Sequence, residues 1–380
     1  MTPARPAGGS RLNRRTAVLI VLLCVLGLAA LIAYRVSLQG KTQTGVLYFT
    51  TFDHQALYSA GFAFHGGHVQ FRAEDRIAAL PKADGVVFSP GGRALVGGQD
   101  SGDVLEVDTG TGAFRAVPSG CPNAFLQALA PKADLDYTAG NPGSLCAMQI
   151  DPLRPGHEIP LTGDDSAITE LAFDDQGHGF YTTAGASGIG NFGSIDVSKG
   201  QTTRFLTQVA AAHGLTFDPL SRSLYLFGGE TIYQIDPRHP LRIESSLTVP
   251  DVLFDQGTTD GQGHLFVASN RGQLVVIDTG LSGQLSGSDA QMTTVFLRQS
   301  LDDIAPLEGP GTHAAPAKWW IPWAGGALIA VALLAVLSQV QVALPRRRLP
   351  AWDVRRQEEE RRRRHQQRTG PRGRPGQRRR

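Results

Sequence analysis

The middle of this chain repeats itself. GLTFDPLSRSLYLFGGETIYQID, residues 214–236, opens Gly-apolar-x-Phe and turns at a Pro/Ser segment. It then runs through Leu224-Tyr225-Leu226 to a Gly-Gly pair and finishes Ile232-Tyr233-Gln234-Ile235-Asp236. Residues 85–112 follow the same order, from Gly85-Val86-Val87-Phe88 through Ala94-Leu95-Val96 and Gly97-Gly98 to Val104-Leu105-Glu106-Val107-Asp108. Residues 168–200 and 258–280 repeat it, residues 126–152 do so more weakly, and the segment from Val46 to Phe71 is weaker still. The turns at Ser89, Ala130, Asp174, Asp218 and Asp260 are 41, 44, 44 and 42 residues apart. A fourth strand follows the third in most copies: Phe114–Val117, Thr203–Leu206, Ile243–Leu247 and Thr294–Leu297.

A step of about 40–45 residues with three or four strands per unit is what propeller blades require. One unit cannot bury both its faces, so it must stack on neighbours, and closing the ring removes the open edges. A β-sandwich would not explain the fixed step. Six units fit residues 45–297, with seven blades as the alternative. SLDDIAPLEG, residues 300–309, reads as the first strand of a further copy, placed to complete blade one.

In the run apolar-x-Phe-Asp, turn, strand and a third strand ending Val/Ile-Asp, the copies resemble the NHL, YVTN and SMP-30-like group of propeller repeats. The resemblance covers about two thirds of the chain and implies fold rather than function. Kelch repeats would need a Trp in the last strand, and the four Trp at 319, 320, 323 and 352 all lie outside the copies.

Two apolar runs border the repeats. Thr16 to Tyr34 has no charge and, at about 1.5 Å per residue, nearly spans a ~30 Å hydrocarbon layer. The expected reading is an uncleaved transmembrane helix over 16–34; the competing one is a cleaved signal peptide. The second run, 319–344, opens with Trp319, Trp320 and Trp323, aromatics suited to a membrane interface. The net charge of +2 is unevenly spread: +4 over the basic residues 1–15 and +11 over 346–380, leaving −13 for 16–345. By the positive-inside rule both ends lie in the cytoplasm and the propeller, bounded as 45–309, lies outside it. The expected location is a bacterial cytoplasmic membrane crossed twice, and the absence of any Asn-x-Ser/Thr sequon is in keeping with that. Cys121 and Cys146 are the only cysteines between the runs, so a disulfide is expected, with two buried thiols as the alternative.

The tail, residues 345–380, carries Arg346, Arg347, Arg348 and Arg361–Arg364, and residues 351–368 could form a helix with Glu358–Glu360 paired against the arginines. Anionic membrane lipid is the expected partner. A cytoplasmic partner is the alternative. The scarcity of aromatics argues against specific nucleic-acid recognition.

No GxSxG, HExxH, P-loop or CxxC motif is present. Gly188-Ile189-Gly190-Asn191-Phe192-Gly193 matches GxGxxG but precedes a strand rather than a helix, and reads as a blade loop. His65-Gly66-Gly67-His68 reads as a two-residue hairpin. His178 and His264 recur at one turn position, which points to a structural role. The innermost strands carry the candidate ligand site. Aligned on their turns, the copies place Asp84, Phe125, Thr169, His213 and Asp255 in equivalent positions; Glu170 is one residue on, and Asp302 and Asp303 lie on the closing strand. Carboxylates and an imidazole converging on a channel could hold Ca²⁺, Mg²⁺ or Zn²⁺. The resemblance implies metal-dependent relatives, SMP-30-like lactonases and streptogramin lyases, but their ligand sets do not map onto this sequence residue by residue. The expected function is a binding, scaffold or accessory subunit of a cell-envelope complex with a protein partner outside the cytoplasm. A metal-dependent hydrolase or lyase is the alternative, and a ligand sensor a third reading.

Overall fold

The computed structural model describes residues 43–305, except 54, 66–67, 133, 140–141, 165, 185–187, 281–282, 288–289 and 299, together with helical residues at 21–22, 25, 27–29 and 359–363. The repeats fold into six four-stranded sheets. Blade one is β1 (Gln43–Thr51), β2 (Ala56–His65), β3 (His68–Ala79) and β24 (Leu301–Ala305). Blade two is β4 (Ala83–Phe88), β5 (Ala94–Gly98), β6 (Asp103–Val107) and β7 (Phe114–Pro118). Blade three is β8 (Leu126–Leu129), β9 (Leu135–Ala139), β10 (Ser144–Ile150) and β11 (Leu153–Pro160). Blade four is β12 (Ile168–Phe173), β13 (Gly179–Ala184), β14 (Ile189–Asp196) and β15 (Gln201–Ala210). Blade five is β16 (Ala212–Asp218), β17 (Ser223–Gly228), β18 (Thr231–Ile235) and β19 (Ile243–Thr248). Blade six is β20 (Phe254–Thr259), β21 (His264–Ser269), β22 (Gln273–Asp278) and β23 (Gln291–Phe296).

Strand composition follows position in the blade. The second strands ALVGG, SLYLFG and HLFVAS are buried on both faces, because a neighbouring blade covers each side. The outermost β19 and β23 alternate exposed and half-buried residues, because each has one face to water. Six apolar clusters form the core, each shared by two adjacent blades. Leu47, Phe49, Phe62 and Phe64 of blade one meet Phe266, Leu274 and Val276 of blade six. The core is therefore a set of interfaces, and no blade holds one of its own.

The ring closes as the sequence suggested. β24, last in the chain, is the innermost strand of blade one and pairs antiparallel with β1, through Phe49↔Ile304 and Thr51↔Leu301. Asp303 N donates to Thr50 Oγ1 (3.2 Å), and that hydroxyl faces the Asp303 carbonyl at 3.5 Å. The strands of the described residues make six blades, not seven. The Cys121–Cys146 disulfide is formed and ties the segment before β8 to β10.

The recurring aspartates are turn devices. Asp108, Asp196, Asp236 and Asp278 end their strands by accepting the backbone N–H two residues on, at 2.8–3.1 Å. Asp174 and Asp260 each take the backbone N–H and imidazole Nδ1 of the histidine four residues on, His178 and His264. The structural role expected for both histidines is what the model shows, but at different depths. The His178 side chain is 71% exposed, whereas that of His264 is 6% exposed and stacks on Phe64 of blade one at 3.7 Å. His264→Ala is expected to cost about 3 kcal/mol by leaving a cavity between blades and taking the imidazole from Asp260 Oδ2. His178→Ala should cost under about 1 kcal/mol. Paired urea titrations check this, and equal losses would refute it.

One expectation is corrected. Gly188–Gly193 is not a loop: from Ile189 onward it forms β14, paired with β13. Gly190 and Gly193 are needed for close packing, since a Cβ on them would strike the Thr183 and Thr203 carbonyls respectively. His65 and His68 pair across the β2–β3 hairpin.

The apolar runs, Trp319, Trp320, Trp323 and most of the tail lie outside the described residues. Within the first run, the described residues are helical, with Leu22, Val25 and Leu28 exposed. In the tail, residues 359–363, with Arg361, Arg362 and Arg363, form exposed helix. No helix among the described residues is long and apolar enough to cross a membrane.

Candidate functional site

The six innermost strands, β24, β4, β8, β12, β16 and β20, stand side by side around the axis. Their starting ends bring the predicted residues together. In five of them, the pairing to the second strand slips where those residues sit; on β24 the break falls between Leu301 and Ile304, at Asp302 and Asp303. The register breaks between Ala83 and Val86, Ile168 and Glu170, Ala212 and Gly214, and Phe254 and Gly257. Asp84, Thr169, His213 and Asp255 lie within these breaks. A bulge turns a side chain that regular pairing would aim elsewhere. β8 shows no such slip, and its equivalent residue is the apolar Phe125, packed against the core between blades three and four.

The slips have a cause in the crowding of neighbouring backbones. Gly85 N donates to the Phe125 carbonyl across the blade boundary at 2.6 Å. A Cβ on Gly85 would strike that oxygen, and one on Gly214 would strike the Asp255 carbonyl.

Around the axis, His213 Nδ1 lies 2.9 Å from Asp255 Oδ1. The His213 carbonyl accepts from Thr182 Oγ1 at 2.9 Å. Gln256 Nε2 spans from blade six to the Thr169 carbonyl of blade four and passes His213 Nδ1, each at 3.5 Å. Asp303 Oδ2 accepts from Val86 N (3.0 Å) and its Oδ1 from Ile304 N (2.7 Å). Glu170 Oε1 accepts from Leu171 N at 3.0 Å. Asp84 and Asp302 share a side-chain hydrogen bond. Glu170, Asp255, Asp302 and Asp303 are buried, whereas Asp84 and His213 are half-buried. Two acceptors of the group, Asp255 Oδ2 and Gln256 Oε1, are buried with no hydrogen-bond partner.

This crowding raises proton affinities. Burial, then the Asp255 charge, lifts the Asp84 carboxyl to about 7 against the pull of His213. Burial and Asp84 lift Asp303 to about 8. Asp302 and Glu170 are held well above the ordinary carboxylate range, chiefly by burial and then by Asp84 and Asp303 respectively. Burial works against a charge on His213, yet Asp255, with Asp84 and Asp303, holds its pKa above the usual value.

The structure thus brings together Asp84, Glu170, His213, Asp255, Asp302 and Asp303, interacting with one another, as the strand alignment anticipated. The alignment missed Gln256; the signal available was its place beside Asp255. A divalent cation fits the donor set poorly. Among the described residues, no three His, Cys, Asp or Glu side chains are placed to hold a metal ion. Both Asp303 oxygens and one of Glu170 are instead turned to backbone amides.

β24 ends at Ala305 opposite Tyr48, while Asp302 and Asp303 lie toward the Thr51 end of β1. The chain therefore enters β1 and leaves β24 on one side of the propeller, and the acids cluster toward the other.

No family model matches the chain, and a comparison with curated proteins found no significant match. Solved structures are similar in fold. Virginiamycin B lyase from Staphylococcus aureus is 12% identical with a TM-score of 0.45, over 68% of this chain and 89% of that one. The PQQ-bound aldose sugar dehydrogenase from Streptomyces coelicolor is 14% identical with a TM-score of 0.47, over 73% and 95%. Regucalcin, a calcium-binding protein from Agrobacterium tumefaciens, is 16% identical with a TM-score of 0.47, over 60% and 79%. Likeness at this level says nothing about activity.

Proposed function

We propose that this protein is a membrane-anchored, extracytoplasmic propeller that binds a protein partner as a scaffold or accessory subunit of a cell-envelope complex. The observation that carries the reading is the closure of blade one. Because β1 and β24 are neighbours, both chain ends leave the same side of the ring, and the apolar runs that follow each end can serve as a pair of anchors. The Cys121–Cys146 disulfide supports an oxidising compartment. The exposed Leu22, Val25 and Leu28 on helical backbone support lipid contact. The side away from the chain ends is left for the partner.

Photo-crosslinking from single positions in whole cells tests this. Lys82 and Asp251 lie on the acid side, beside the starts of β4 and β20, and Lys199 lies on the side of the chain ends, in the β14–β15 turn. The expected result is one discrete adduct from Lys82 or Asp251, none from Lys199, and labelling of a Lys82→Cys variant by an impermeant maleimide applied from outside the cytoplasmic membrane. Labelling only after that membrane is breached would overturn the location. Adducts from Lys199 alone would overturn the docking side.

The competing metal-dependent hydrolase or lyase has in its favour the convergence of Asp84, Glu170, His213 and Asp255. A thermal shift with Ca²⁺, Mg²⁺, Mn²⁺ or Zn²⁺ that disappears in His213→Ala would favour it over the scaffold.

A further inference from the structure

We propose that the acid end of the channel is a binding site for an organic cation, a primary ammonium or a guanidinium, held between Asp255, Gln256 and Asp84. Three observations carry this. The first is charge. Asp84 on β4, Glu170 on β12, Asp255 on β20 and Asp302 and Asp303 on β24 interact with one another and with His213 on β16, the one basic group that acts on them among the described residues.

The second is the pair of orphan acceptors. Asp255 is 3% exposed and Gln256 6%, yet Asp255 Oδ2 and Gln256 Oε1 have no partner. Both residues come from the bulge that opens β20, and both stand against the His213 ring, Asp255 Oδ1 at 2.9 Å and Gln256 Nε2 at 3.5 Å. Leaving a buried acceptor unmade is costly, so two of them on residues that both touch the His213 ring mark where a donor belongs.

The third is shape. A metal ion would need oxygens converging at about 2.0–2.6 Å on one point, and among the described residues no three acid or imidazole groups are placed to hold one. An ammonium or guanidinium has several N–H donors that reach separate acceptors at about 2.7–2.9 Å each, so dispersed oxygens suit it. Asp84 and His213, the half-buried members, form the way in.

The cation has two sources with the same chemistry. One is a lysine or arginine side chain of the partner, an arm that rests on the function proposed above; the other is a free amine. Because the cluster carries protons near neutrality, an entering cation displaces one. Calorimetry on the full-length chain with cadaverine, methylguanidinium, capped lysine and arginine amides, and Ca²⁺ tests this at pH 6, 7 and 8 in two buffers of different ionisation heat. Saturable binding of an organic cation is expected, tightening up to about tenfold per pH unit, with about one proton released, seen as a buffer-dependent heat. Asp255→Asn should weaken it at least tenfold. Should that variant fold poorly, the proton release of the natural chain decides alone. Binding by the capped amino acids assigns a protein-borne cation, and binding by cadaverine alone assigns a free amine. No saturation by any organic probe at pH 8, binding without proton release, or a response to Ca²⁺ only would overturn the proposal. Crosslinking from Lys82 or Asp251 could still succeed in that case, so the two readings fail separately.

Discussion

Asp164→Ala is expected to cost the propeller about 2–4 kcal/mol, because it removes an acceptor shared by several donors, while its ion-pair partner Arg204, 43% exposed, turns to water. Asp164 sits between β11 and β12, where the chain crosses from blade three to blade four, and is 2% exposed. Its carboxylate gathers Arg204 Nε (2.9 Å), Arg204 Nη2 (3.1 Å), Tyr181 Oη (3.1 Å), Asn191 Nδ2 (3.0 Å) and Ser166 N (3.1 Å). One side chain thus ties three strands of blade four to the crossing, and its loss takes an acceptor from the hydroxyl of Tyr181, a fully buried residue. Burial works to raise the carboxyl's pKa, but the Ser166 amide and the Arg204 and Asn191 side chains hold it below the ordinary value. The contribution is therefore present above the unfolded pKa, about 3.9, and the penalty of Asp164→Ala should shrink as pH falls below that. Asp136 on β9 is the opposite case. It is fully buried, pairs with Leu129 and Met148, and among the described residues only the Ala128 backbone offers its carboxyl a weak hydrogen bond. Burial raises its pKa well above the ordinary value, against a pull from the Ala128 backbone. Asp136→Val should raise stability by about 1–3 kcal/mol, by more at pH 7 than at pH 4. Denaturant unfolding of both variants checks the pair of signs; a gain from Asp164→Ala or a loss from Asp136→Val would refute the account.

The contrast shows which parts of the molecule a sequence can reveal. Blade number, strand order and ring closure were legible because each copy carries its own turn chemistry. An aspartate that ends a strand does so through its next two residues, with no help from the rest of the fold. The meeting of Asp84, His213 and Asp255 was legible too, because equivalent positions in a closed ring must face one axis. What could not be read depends on neighbours. The bulges at Asp84, Thr169, His213 and Asp255 arise where one blade's backbone crowds the next, as at Gly85 and the Phe125 carbonyl. Without them, period-two alternation gives no reason for Asp255 and Gln256 to approach the same imidazole. Likewise nothing local announces that Tyr225 Oη (3.1 Å) and Gln234 Nε2 (2.8 Å) both donate to the Gly283 carbonyl, between β22 and β23, or that Leu285 is buried in the core between blades five and six. The anchor of Gly283 lies about 50 residues back in blade five, beyond the reach of any local pattern.

The channel acids should make this propeller less stable as the solution becomes more basic. Asp84 and Asp303 hold their protons to about pH 7 and 8 in the folded chain, and Asp302 and Glu170 are shifted the same way. In the unfolded chain these groups ionise near pH 4. Between the two limits the folded state binds more protons than the unfolded one, so the unfolding free energy falls as pH rises. The raised pKa of His213 has the same sign, its contribution being lost as pH climbs through the folded value. For Asp84 alone the rise to about 7 corresponds to something on the order of 4 kcal/mol across the window. The acids share one space, so the protons leave as a set and the single contributions do not add. Guanidinium unfolding of the full-length chain at pH 5, 6, 7 and 8 should therefore show a declining midpoint, with most of the loss complete by pH 8. Asp84→Asn should flatten the decline, because an amide keeps the shape without the charge. A midpoint that holds steady from pH 5 to 8 would mean that the cluster already carries a compensating charge at neutral pH. A cation that restores the pH 8 midpoint toward its pH 5 value would identify that charge and show that the acids are held apart for a ligand rather than for the fold.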